Sequence, residues 1–139
     1  PQLVIGFFDI DDTTEAKEVP SLRIKEIVLD TVINTISDRS SSLDSIGVPL
    51  RSDVTSTAFA FITDSADDDD TGDETGNIDT LTISYTLREA FVSRACGYVI
   101  NYDDLTVSLP ASANNWIQDI TVVQETVENS NSIHVKIFF

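Results

Sequence analysis

The chain has 139 residues, 41% of them hydrophobic, enough for one domain over 1–139 with a buried core and too apolar for a disordered chain. Against 24 Asp and Glu stand 8 Lys and Arg, a net charge of −16 that repels phosphate backbones and anionic lipid and so excludes nucleic acid and bare membrane surfaces as expected partners. The single cysteine, Cys96, excludes an internal disulfide, and no apolar run approaches the ~20 residues that cross a bilayer.

The dominant period is two, the repeat of a strand with one apolar face. The first strand is expected over 2–10, apolar on both faces (Leu3, Ile5, Phe7 against Val4, Phe8, Ile10) and therefore covered on both sides. A strand that starts almost at Pro1 reads as a processed terminus from which a targeting segment has been removed. The next run, 22–33, changes phase from Leu22 and Ile24 to Ile27 and Leu29. A bulge at Lys25–Glu26 reconciles the two halves, and a short helix is the alternative. Residues 34–53 are Ser-rich and poorly patterned and are expected to be a loop.

A strand over 54–63 leads into an acidic loop, 64–79, and 78–88 then alternates cleanly, with Leu81, Ile83, Tyr85 and Leu87 against Thr80, Thr82, Ser84 and Thr86. Further strands are expected over 91–101, 104–109, 116–126 and 132–139. In the last, Ile133, Val135 and Ile137 form one face and Ser132, His134 and Lys136 the other. Glu128–Asn131 is expected to join the last two strands as a hairpin turn without Gly, because Asn tolerates positive φ. About eight strands punctuated by turns predict an all-β chain, an antiparallel β-sandwich of immunoglobulin-like or related type. Its expected core contains Leu3, Ile5, Phe7, Leu81, Ile83, Tyr85, Ile133, Val135 and Ile137.

Chemistry is harder to find. There is no Gly-rich phosphate loop, zinc spacing or Gly-x-Ser-x-Gly elbow, so neither catalytic residues nor a cofactor are expected. Asp64, Asp67, Asp68, Asp69, Asp70, Asp73, Glu74 and Asp79 form an acidic segment without a base. With Gly72 at the sixth place of a calcium loop, Asp67, Asp69, Thr71 and Asp73 fall at ligand positions, but Ile78 stands where a bidentate acid is needed. Asp67, Asp69 and Asp73 are thus weak calcium candidates, and the segment is expected to be a mobile, solvated hairpin loop. Asp9, Asp11 and Asp12 read as a turn. Cys96 would need a base to act as a nucleophile, and the one His, His134, is expected on the polar side of the last strand. Cys96 is therefore expected to be a packed, inert thiol, and Gly97 beside it to mark a bulge or a close backbone approach. Phe59, Phe91, Tyr98, Tyr102 and Trp116 could form a sugar platform, although most are expected to pack the core.

Three stretches together carry a resemblance. Leu3-Val4-Ile5-Gly6-Phe7-Phe8-Asp9 is similar to the LxxxFYD start of an uncharacterised family of small Bacteroidetes lipoproteins. Asp79–Tyr85 followed by Phe91–Tyr98 resembles its DTLxxSYxxxxxFxSxACGF core, and His134–Phe138 its closing HVKIYF. The long Asp-rich loop departs from that pattern. The resemblance implies a removed signal peptide, a lipidated cysteine upstream of Pro1 and a cell-envelope location, and it implies no activity. The expectation is a non-enzymatic envelope module that binds a protein partner or supports an assembly. The rival is a small-ligand or glycan binder, with or without the help of a metal. A concave cleft with aromatics and convergent carboxylates favours the rival, and an exposed apolar patch favours a protein partner.

Overall fold

A computed structural model of the chain describes residues 1–95 and 97–139; these form no helix and nine strands in two sheets. One sheet has the order β4–β1–β9–β8, with β1 at Leu3–Phe8, β4 at Ser45–Val48, β8 at Asp119–Val122 and β9 at Val135–Phe138. The other has the order β3–β2–β5–β6–β7, with β2 at Arg23–Glu26, β3 at Thr31–Val32, β5 at Ser56–Thr63, β6 at Asn77–Ser93 and β7 at Gly97–Ser108. Neighbours run antiparallel except β1 and β9, which pair in parallel from Ile5↔Val135 to Phe8↔Phe138.

Alternate residues of the two sheets meet in one core. Leu3, Ile5, Phe7, Val135 and Ile137 face Ile24, Phe59, Phe61, Leu81, Ile83 and Tyr85, all buried. Each such side chain contributes roughly 1.5–3 kcal/mol relative to exposure. Of the expected core only Ile133 is displaced. It lies half-buried against Gly6, where a Cβ would come within 2.8 Å of its Cδ1. The chain bends at His134 just before β9, and opposite it Val123 N and Gln124 N both donate to the His134 carbonyl, at 2.8 and 3.1 Å, a bulge on the β8 side. The phase changes there, so His134 and Val135 are both buried, and His134 is not on a polar face.

Four other expectations change. The run 22–33 is neither a bulged strand nor a helix but a hairpin: β2 ends at Glu26, a turn follows, and β3 pairs back through Glu26↔Thr31. The Ser-rich stretch contains β4, whose Ile46 and Val48 are buried. The run 91–101 is split, with 91–93 ending β6 and 97–101 opening β7, and β7 continues through 104–108 across a bulge at which Asp104 adopts φ 55°. Finally, β8 and β9 are joined by a wide excursion that pairs Val127 with Tyr102 of the other sheet, not by a tight turn at Glu128–Asn131.

Candidate functional site

Strands β6 and β7, 17 and 12 residues long, outrun their sheet. Strand β5 begins at Ser56, opposite Ser84, and Tyr85 N donates to Thr55 O at 2.9 Å. Beyond that point β6 is paired with β7 alone, in the register Leu87↔Tyr102, Glu89↔Ile100 and Phe91↔Tyr98. A two-stranded arm therefore projects from one end of the sandwich.

The root of the arm is held by buried polar bonds. The Tyr85 hydroxyl donates to Arg51 O at 2.6 Å and lies 2.6 Å from Thr57 Oγ1, and the Tyr102 hydroxyl donates to Leu50 O at 3.0 Å. Burial pushes both phenols above their ordinary pKa, and both are donors at neutral pH. Their rings meet edge to face with centroids 5.0 Å apart. At the bulge, Asp104 accepts the left-handed backbone that its short polar side chain tolerates, and Thr86 Oγ1 donates to its carboxylate at 3.1 Å. Arg88 straps the outer face, reaching Asp103 at 2.9 Å and Glu128 at 2.6 Å.

Further out, the phase that pointed into the core continues with no opposing sheet as Leu87, Glu89 and Phe91 on β6 beside Tyr102, Ile100 and Tyr98 on β7. Phe91 and Tyr98 are 60% and 67% exposed and stack edge to face, centroids 5.5 Å apart at 69°. Val92 and Val99, of the other phase, are exposed as well. The chain reverses after Ser93, and Gly97 has φ +67° with no atom of the described residues, its chain neighbours aside, within 4 Å of a Cβ position. Gly97 thus meets a backbone need, not a close approach. From Leu87 to Asn101 the charged residues are Arg88, Glu89 and Arg94, whereas Asp103, Asp104, Glu125 and Glu128 cluster at the root.

The other sequence candidates lie elsewhere. The acidic segment joins β5 to β6 at the opposite end of the sandwich and has an internal framework. Asp68 N donates to Asp73 O at 2.7 Å, and the Asp68 carboxylate accepts from Asp70 N and Thr71 N, which hold its pKa below the usual range. Asp67 does not face Asp69 and Asp73 around an ion; it pairs with Arg39 at 2.6 Å, and that hydrogen bond holds its pKa down. Burial raises the Glu74 pKa, but hydrogen bonds from Ser65, Gly76 N and Ala66 N outweigh it and leave the carboxyl below its ordinary value. Asp79, last of the eight acids, is buried in β6 and accepts from Asn115 Nδ2 at 2.8 Å and Ile117 N at 2.9 Å. Among the described residues no group of three or more His, Cys, Asp or Glu is placed to hold a metal ion.

Asp9 and Asp12 accept from Asp11 N and Thr14 N in the turn after β1. Phe59, Tyr102 and Trp116 are buried, Trp116 donating its ring N–H to Phe61 O at 3.0 Å. Cys96, with its expected packing, lies outside the described residues. His134 is buried, and its Nδ1 accepts from Val4 N at 2.9 Å.

Phe91 and Tyr98 face each other on the arm, at the two ends of the stretch Phe91–Tyr98. No curated protein and no solved structure matches the chain. A family model does match over residues 21–139, covering both strands of the arm, and the chain belongs to that family, described as a family of unknown function (DUF6452).

Proposed function

We propose that the protein is a non-enzymatic binding module of the cell envelope, anchored by a lipid upstream of Pro1, and that the β6–β7 arm docks it onto a protein partner. The observation that carries this reading is the exposed Phe91–Tyr98 pair on a projecting arm whose root is fixed by Tyr85 and Tyr102. Aromatic residues offered on a braced scaffold act as binding anchors at low entropic cost. The acids at the root and the net charge of −16 select a partner groove that is apolar at its floor and lined with Lys or Arg at its rim. The resemblance to small lipoproteins supports the location. A glycan platform fits less well: three of the five candidate aromatics are in the core, and the remaining rings are inclined at 69° and present no flat face.

The test is a photoreactive phenylalanine at position 98, expressed in the native host. A discrete adduct is expected there and not with the same group at position 69. The crosslinked protein, purified, should bind the wild-type chain, with binding weakened about tenfold or more by Phe91→Ala and by raised salt. No adduct at 98, or affinity indifferent to Phe91, overturns the reading.

A further inference from the structure

A cavity of about 360 Å³ opens beside the root of the arm, at the end of the sandwich where Leu50 and Arg51 hold the two tyrosines. One wall is Glu26, on the core-facing side of β2 and only 6% exposed. Its Oε2 accepts from Leu29 N at 2.6 Å, across the turn of the β2–β3 hairpin. Its Oε1 is buried without a hydrogen-bond partner, and no cation among the described residues forms an ion pair with it. A carboxylate oxygen left in this state is costly unless a donor reaches it.

We infer that this cavity binds a small primary amine, its ammonium seated on Glu26 and its aliphatic chain lying along Leu29, Val32, Ile33 and Leu50. The site is independent of the arm's proposed docking role. The volume suits a compact ligand, at the low end of the range for small-molecule pockets. Leu29 and Val32 are exposed, so the hairpin side of the cavity is open to entry. An ammonium supplies both the missing donor and the opposite charge, which an alcohol does not. A carboxylate ligand is disfavoured by Glu26 itself and by the chain's net charge of −16. Arg51, the cation on the cavity wall, does not substitute, because its guanidinium is turned to Asp53 at 3.2 Å.

The experiment is an amide-resolved NMR titration of the full chain at neutral pH with n-butylammonium, 1-butanol and butyrate. About 0.5 M NaCl screens loose association with the acidic surface. Saturable shifts at Glu26, Leu29 and Ile33 are expected with n-butylammonium, with affinity about tenfold or more above that for 1-butanol, and none with butyrate. Glu26→Gln, nearly isosteric, should weaken binding about tenfold or more. Val32→Phe, which crowds the cavity from the neighbouring strand β3 and leaves Glu26 in place, should do the same; thermal melts verify that each variant is folded. Shifts confined to Asp64–Asp79, shifts abolished by salt, or unchanged binding by either folded variant would overturn the inference.

Discussion

His134 holds strand β1 twice: its backbone N donates to Val4 O and its Nδ1 accepts from Val4 N, both at 2.9 Å. Acceptance at Nδ1 leaves the neutral ring's proton on Nε2. Burial lowers the pKa from the ordinary 6.5, and the Asn129 backbone offsets part of that. Between the folded and unfolded values the unfolded chain binds more protons, so stability rises with pH in that window. Stability should therefore be lost as pH falls below the ordinary imidazole value of 6.5. Urea melts across that window check it; His134→Gln should flatten the slope, and an equally steep slope in the variant would assign the effect elsewhere. In the core, Ile83→Ala should cost about 2–5 kcal/mol. Tyr85→Phe, which leaves Arg51 O without its donor and Thr57 Oγ1 with only Arg51 N, should cost about 1–3 kcal/mol. Ile83 and Tyr85 were legible as core from alternation alone. His134 and Ile133 were not, because a bend in the backbone at His134 shifts the faces without changing composition. Nor was Arg39, which meets Asp67 only after the chain has folded 28 residues back.

Elements were legible where one face is buried and the other wet, and blurred where that contrast fails. In β6 the alternation over Leu81–Tyr85 is enforced by the core, but beyond Leu87 both faces meet solvent, and Arg88-Glu89-Ala90 looked like a break. Strand β4 is only 4 residues long, too brief for its Ile46 and Val48 to stand out from a Ser-rich stretch. The slip of phase at Lys25–Glu26 marked a turn, and Ile27, Val28 and Leu29, apolar in sequence, sit on it exposed. The arm's separateness gives a prediction. Two paired strands with no opposing sheet are marginal alone, so the arm should open locally without global unfolding. Amides from Glu89 to Arg94 should exchange fastest among the strands, and Phe91→Ser with Tyr98→Ser should speed that exchange. Global stability should move by less than about 0.5 kcal/mol, as for a surface change. Protection of the arm equal to that of Leu81–Tyr85 would show that it folds as part of the core.

Charge belongs to the whole molecule. Seven ion pairs among the described residues engage seven of the 24 acids and five of the eight bases. Two of the remaining bases, Lys17 and Lys136, lie over the rings of Phe139 and Phe8. Most acids therefore face water without an opposite charge, and their mutual repulsion favours expansion of the chain. Surface pairs contribute little each, and salt screens attraction and repulsion alike. With an excess of 16 negative charges, the screened repulsion should outweigh the screened pairs. The melting temperature is therefore expected to climb steadily as NaCl rises from about 0.02 to about 0.5 M, beyond the point where the Debye length falls below the spacing of neighbouring carboxylates. Calcium should add little more at matched ionic strength. If the acidic loop offers sites with Kd of roughly 10⁻³ M, as extracellular modules do, about 1 mM calcium adds only about 0.4 kcal/mol. Asp69 and Asp70 are exposed and outside the ion pairs, so replacing both with Ser should raise the melting temperature at low salt and leave it unchanged at high salt. Asp67→Ser differs, because it removes the partner of Arg39 along with a negative charge, and it should gain less at low salt. A melting temperature that falls with NaCl would mean that the pairs outweigh the repulsion. A large rise at micromolar calcium, lost in the double Ser variant, would make Asp64–Asp79 a binding site in its own right.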